Sequence, residues 1–159
     1  MRTSRLLVAG AGLLVSVLLV RGLVAAPLTV SSTSMEPTVP EGATVLVDKL
    51  GPRLLGVHRG DLVVFTSPDD GGQALKRVVA VAGQQVALRD AVLHVDGVAV
   101  HEPRVDLSRI DGTYFGPVTV PPDAVFVLGD NRAGSIDSRD YGAVPLSSVN
   151  GRVIAQSRG

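Results

Sequence analysis

The stretch Leu75-Lys76-Arg77-Val78-Val79-Ala80-Val81-Ala82 decides the fold class. It is rich in β-branched residues, contains no turn former and stops at Gly83, so it reads as a strand. Alternation would place Lys76, Val78 and Ala80 on one face and Arg77, Val79 and Val81 on the other. Similar short apolar runs recur on both sides. Upstream, residues 43–48 follow the turn Pro40-Glu41-Gly42, residues 49–59 read as loop, and residues 62–66 follow Arg59-Gly60-Asp61. Pro68-Asp69-Asp70-Gly71-Gly72 is a strong turn cluster leading into the opening stretch. Downstream, Val86 and Leu88 alternate, residues 92–95 return after Arg89-Asp90, and Asp96-Gly97 predicts a two-residue hairpin loop before residues 98–100. Residues 101–116 read as loop, residues 118–120 and 124–128 as strands, residues 129–141 as a polar loop, and residues 149–155 as a last strand. Short strands separated by turns, in a chain with 18 Gly and 10 Pro, describe an all-β domain.

At 159 residues the chain is long enough to bury one proper core. Lys+Arg and Asp+Glu are both 15, so no net basic charge points to nucleic acid. The absence of cysteine excludes disulfides and thiolate metal sites. At the N-terminus, Arg2 and Arg5 precede residues 6–20, in which Ser16 is the sole polar residue; Arg21 interrupts, and residues 22–26 resume the apolar run before Pro27. Residues 6–26 meet the roughly 20-residue length of a transmembrane helix. Arg21 lies near the far end, from which its guanidinium can reach the interface. The basic tip predicts a cytoplasmic N-terminus, with everything after Pro27 outside. A cleavable leader ending at Val24-Ala25-Ala26 is the competing reading, and Pro27 directly after that site is a poor fit for cleavage. The expected division is therefore an N-terminal tip and anchor over 1–27 and an extracytoplasmic β-rich domain over 28–159.

Three segments carry residues capable of chemistry. Ser31-Ser32-Thr33-Ser34-Met35-Glu36-Pro37-Thr38 reads as irregular backbone between the apolar run and the first strand, offering either a nucleophile or plain loop serines. A nucleophilic serine needs a base. His58, His94 and His101 stand in no arrangement with an acid partner, and zinc on His94 and His101 lacks a third ligand. Lys76 is the other option. If its face of the strand is buried, desolvation lowers its pKa and the neutral amine can take a serine proton. If the strand is a solvated edge, Lys76 is an ordinary surface lysine. The third segment runs from Gly129 to Gly142, where Asp130, Arg132, Asp137, Arg139 and Asp140 can pair to hold a loop that also contains Ser135.

Taken together, these segments resemble the bacterial type I signal peptidases, membrane-anchored serine proteases with a Ser–Lys dyad. Ser32-Thr33-Ser34-Met35-Glu36-Pro37-Thr38 is similar to the family's Ser-x-Ser-Met-x-Pro-Thr box, and Arg59-Gly60-Asp61 to its Arg-Gly-Asp strand. Lys76-Arg77-Val78-Val79 is similar to its Lys-Arg box. Gly129-Asp130-Asn131-Arg132 with Ser135, Asp137-Ser138-Arg139 and Tyr141-Gly142 is similar to its last box, in the same order. The resemblance implies a barrel-like catalytic domain of antiparallel sheets with a small accessory β insertion at about 84–123. It implies that Ser34 is the nucleophile, Lys76 the general base, and the Ser32 hydroxyl with the Ser34 N–H the oxyanion hole. Ser135 would orient the Lys76 amine, Met35 would pack beneath the nucleophile, and Asp130 with Arg77 and Asp137 with Arg139 would be supporting ion pairs. The implied activity is cleavage of secretory precursors after a small residue, at the outer face of the cell membrane, with the lipid bilayer as partner of the N-terminal helix. No metal, organic cofactor or nucleic acid is expected. The alternatives are a specialised maturation protease of the same dyad class, a soluble self-cleaving repressor with that dyad, and a membrane-tethered β module that only binds exported peptides. Thr33 departs from the small residue frequent at its position, Asp140 is an extra residue before Tyr141, and the accessory insertion is short.

Overall fold

The computed structural model describes residues 24–106, 110 and 113–157. The expected membrane-spanning helix falls almost wholly outside them; among the described residues no helix is long and apolar enough to cross a membrane. The described chain is mainly β, and its strand pairings are antiparallel. In order it runs β1 (Ala25–Thr29), β2 (Thr44–Asp48), the short helix α1 (Gly51–Leu55), β3 (Leu62–Thr66), β4 (Gln73–Val81), β5 (Gln85–Arg89), β6 (Val92–Val95), β7 (Val98–Ala99), β8 (Phe115–Thr119), β9 (Ala124–Leu128), the one-turn helix α2 (Ser138–Tyr141), β10 (Val144–Pro145) and β11 (Val149–Gln156). Seven strands form one sheet in the order β1-β2-β11-β3-β4-β9-β10, and four form a second in the order β7-β6-β5-β8. The large sheet is a half-barrel whose edges, β1 and β10, remain unpaired with each other.

Most strands lie where the alternation and turn formers put them. The Asp96-Gly97 hairpin has both residues at positive φ, 53° and 79°, the backbone that its composition favours. Several features differ, among them β8, which begins at Phe115 within a stretch read as loop, the helix α2 in another, and β10, where no strand is expected. Ala25 and Ala26 close the apolar run in sequence, yet both are in β1, paired with Asp48 and Val47; Pro27 is tolerated because β1 is an edge strand. Within residues 49–59, Gly51–Leu55 form α1, started by two backbone N–H groups donating to the Asp48 carboxylate. In β4, the register against β9 shifts between Val78 and Ala80. That bulge turns Ala80 to the cluster containing Val79, while Val78 and Val81 share another. Simple alternation therefore fails beyond Val78.

Three apolar clusters hold the fold. Val79, Ala80, Phe126 and Leu128 of the large sheet pack on Val86, Leu88, Leu93 and Val95 of the small one, which joins the two sheets. Met35, Val39, Val45, Val47, Val64 and Leu75 form a second cluster around the serine-rich loop. Val63, Phe65, Val78, Val125, Val127, Val144 and Val149 form the third. Every residue of β9 is buried because its two faces belong to different clusters. Its unbroken apolar sequence, 124–128, follows from that position.

Phe126 is fully buried and stacks obliquely on Phe115, with ring centroids 5.5 Å apart. Phe126→Ala should cost about 3–5 kcal/mol in denaturant unfolding, as large-to-small changes in packed cores do. Ile154→Ala, at an exposed position of β11, should stay within roughly 0.5 kcal/mol of the parent.

Candidate active site

Ser34 sits in the loop between β1 and β2, and apolar anchors hold that loop down. Met35 and Val39 are fully buried, and the Val39 N–H donates to the Met35 carbonyl (2.9 Å) while the Glu36 N–H donates to the Thr33 carbonyl (3.1 Å). With Met35 drawn into the core, the adjoining Ser34 side chain is brought against β4. There Lys76, opposite Val63 of β3, is only 6% exposed. Its Nζ lies 2.7 Å from Ser34 Oγ in a buried hydrogen bond. Desolvation lowers the Lys76 pKa below its ordinary 10.5, and the negative charge of Asp137 partly opposes the shift. A serine hydroxyl beside a desolvated amine is an arrangement suited to proton transfer from oxygen to nitrogen. His58, His94 and His101 take no part in it: the hydrogen-bond partners of Ser34 Oγ are Lys76 and Ser32.

Ser32 closes onto Ser34 through a short local network. Its hydroxyl donates to Ser34 Oγ (3.0 Å) and accepts from the Ser34 backbone N–H (3.3 Å). The third segment packs on the same loop from the other side. The Asn131 N–H donates to the Ser34 carbonyl (3.0 Å), and Asn131 Nδ2 donates to the Thr33 carbonyl (3.2 Å). Gly129 makes this approach possible, since a Cβ there would stand 2.6 Å from the Ser34 carbonyl oxygen and inside the Ser135 side chain.

Ion pairs secure that segment. Arg77 holds Asp130 through two hydrogen bonds of 2.8 and 2.7 Å and donates a third to the Gly60 carbonyl. Asp137 is fully buried. It accepts from both Nε and an NH2 group of Arg139 and from the Gly129 N–H. It also caps α2, and Asp140 completes the capping box by accepting from the Asp137 N–H (2.9 Å). The residue that looked supernumerary in sequence thus finishes a helix start.

Ser135 differs from expectation. Its Oγ is buried without a hydrogen-bond partner among the described residues, so the expected bond to the Lys76 amine is not formed. Ser135 packs over Gly129 instead, and the Lys76 amine is bonded to Ser34. Two participants went unseen in sequence. Asn131 lies inside a quoted motif, but nothing in its surroundings revealed that it reaches across to Thr33. Glu102, in a stretch read as plain loop, pairs with the buried Arg132 at 2.6 Å. Among the described residues, no group of three or more His, Cys, Asp or Glu is placed to hold a metal ion.

Beside the Ser34–Lys76 contact lies a cleft of about 380 Å³, lined by residues 28–32 and Ser34 on one side and by residues 73–76 on the other. Pairing of β9 with β4 starts at Arg77, so among the described strands the first half of β4 is bonded to β3 alone. The cleft thus has two strand edges with free backbone groups, and an extended chain can add to such edges.

A family model described as "Signal peptidase, peptidase S26" matches residues 3–157. Signal peptidase I of Bacillus licheniformis is 34% identical over 131 residues, covering 77% of this chain and 70% of the relative. Signal peptidase I V of Bacillus subtilis is 35% identical over 136 residues, covering 77% of this chain and 79% of the relative. The crystal structure of a signal peptidase I from Enterococcus faecalis superposes with a TM-score of 0.55 at 32% identity, over 60% of this chain and 95% of that one.

The lowered Lys76 pKa links stability to pH. Below the folded-state pKa both states are protonated and the burial penalty is constant; between it and 10.5 only the unfolded state holds the proton, so stability rises with pH. Lys76→Met has no such dependence. Its stability advantage over the parent should shrink as pH rises toward 10.5 in equilibrium unfolding, whereas a constant difference would mean that Lys76 is not desolvated.

Proposed function

The chain belongs to the signal peptidase family, peptidase S26, and from that premise we propose that it removes signal peptides from exported precursors by means of Ser34 and Lys76. The buried 2.7 Å contact between Lys76 Nζ and Ser34 Oγ carries this reading. Neutral Lys76 accepts the Ser34 proton as Oγ attacks the scissile carbonyl. The developing oxyanion takes hydrogen bonds from the Ser32 hydroxyl and the Ser34 N–H. At rest the Ser32 hydroxyl and the Ser34 N–H are bonded locally, so the incoming carbonyl must replace those contacts. The Lys76 ammonium then gives its proton to the departing amine, leaving an ester on Ser34. Water, deprotonated by Lys76, attacks the ester; the Ser34 oxygen takes that proton back from Lys76 as the bond breaks, and the signal peptide leaves as a carboxylic acid.

The cleft supports an extended substrate lying between the edge of residues 28–32 and the free edge of residues 73–76, with its scissile bond at Ser34. Residues 6–26 would anchor the chain in the membrane, with the N-terminus cytoplasmic and the β domain outside. Because β1 starts where that apolar run ends and leads directly to the Ser34 loop, the cleft would stand close to the bilayer surface.

The test is cleavage of a precursor with an Ala-x-Ala site by the full chain in liposomes. Ser34→Ala and Lys76→Ala should each lower kcat by about a thousandfold or more with the fold retained, as loss of a nucleophile or its base does elsewhere. Cleavage by either variant at the parent rate rejects the pair. Ser32→Ala should cost on the order of a hundredfold, the usual effect of losing one oxyanion donor. For the parent, kcat/KM should rise with pH through a midpoint below 10.5, since the neutral amine is the active form.

A further inference from the structure

Arg132 is the most enclosed arginine bordering the Ser34 loop. Its side chain is 1% exposed, against 13% for its partner Glu102. One NH2 group donates to Glu102 Oε1 at 2.6 Å, and Nε donates to the Gly129 carbonyl at 3.1 Å. The remaining nitrogen, NH1, is buried with no partner among the described residues. Glu102 is therefore the sole carboxylate paired with this guanidinium among the described residues. Glu102 belongs to the other sheet's territory. It follows β7, and its carbonyl accepts from the Val105 N–H to form a turn, while the neighbouring Val100 packs against the core that joins the sheets.

The path from this pair to Ser34 is short. Gly129 is fixed at both its polar groups: the N–H donates to Asp137 and the carbonyl accepts from Arg132. The Arg132 carbonyl in turn accepts from Arg139, the partner of Asp137, which closes a ring of bonds around the loop. Gly129 lies so close to the Ser34 carbonyl that no side chain fits between, and Asn131 bonds that same carbonyl. Backbone movement at Gly129 is thus passed to Ser34 without slack. We infer that Glu102 is a positioning residue for the Ser34–Lys76 pair, acting through Arg132 and Gly129. This rests on the catalytic reading of that pair given above. Without its carboxylate partner, the Arg132 guanidinium would be an unpaired buried charge that must turn toward water, releasing the Gly129 carbonyl. The short accessory sheet thereby serves the reaction through one side chain in the segment that leaves it.

The test compares Glu102→Ala and Glu102→Gln with the parent in the precursor assay, at a temperature where circular dichroism shows each variant fully folded. Loss of stability alone leaves kcat unchanged under that condition. Glu102→Ala should lower kcat by about tenfold with KM within about twofold, the size expected for a sub-ångström misplacement of reacting groups. Glu102→Gln keeps the shape and an acceptor oxygen, and should lose only about threefold because a neutral acceptor holds a guanidinium less strongly. An unchanged kcat in both variants, or a loss confined to KM, overturns the inference. Where Glu102→Ala does not fold, Glu102→Gln decides by the same two criteria. Ser34→Ala run alongside keeps the two ideas apart. If it is inactive, a negative result at Glu102 touches this inference alone; if it is active, the dyad reading itself has failed.

Discussion

The burial of Lys76 against Ser34 is the constraint that the rest of the structure serves. An ammonium group in a pocket that excludes most water is costly, and the pocket lowers its pKa to relieve that cost. The serine oxygen at 2.7 Å gives the buried amine a hydrogen-bond partner. Keeping Lys76 enclosed beside a cleft demands rigid walls. β4, backed by β3, supplies one wall, the loop anchored by Met35 supplies a second, and the segment from Gly129 to Tyr141 packs on that loop from behind.

That last segment shows how a polar loop can be made rigid. It has little apolar side chain to bury, so its shape comes from charge-assisted bonds. Asp137 alone gathers the Arg139 guanidinium, the Gly129 N–H and the start of α2. Arg77 ties Asp130 to the strand that carries Lys76. Such pairs contribute through geometry more than through net stability, since each buried ion loses hydration that its partner only partly restores. They surround the Ser34–Lys76 contact with a framework that leaves little room for displacement.

Much of the fold was legible in the sequence. The apolar runs and the turns between them marked most strands, and Asp96-Gly97 marked its hairpin correctly. Local rules read these well because a strand's alternation and a turn's positive φ are properties of a few consecutive residues. They failed where a partner strand intervened. The bulge in β4 re-aims Ala80 because of its register with β9, and β1 claims Ala25 and Ala26 because β2 offers them an edge. In the same way, α1 and the two-residue β10 arise from neighbours that the local pattern does not name.

The candidate site divides along the same line. By itself, the sequence determined the mainly-β fold class and the family, because the motifs are local in the chain and specific in combination. Only the tertiary structure decided whether Lys76 is buried or solvated, since that depends on strands far from it in sequence. It also decided that Ser135 rests unbonded over Gly129, that Asn131 reaches the serine loop, and that Glu102 neutralises Arg132 across 30 residues of chain. Each of these is a contact between distant segments, and a contact has no signature in either segment until folding brings the two together.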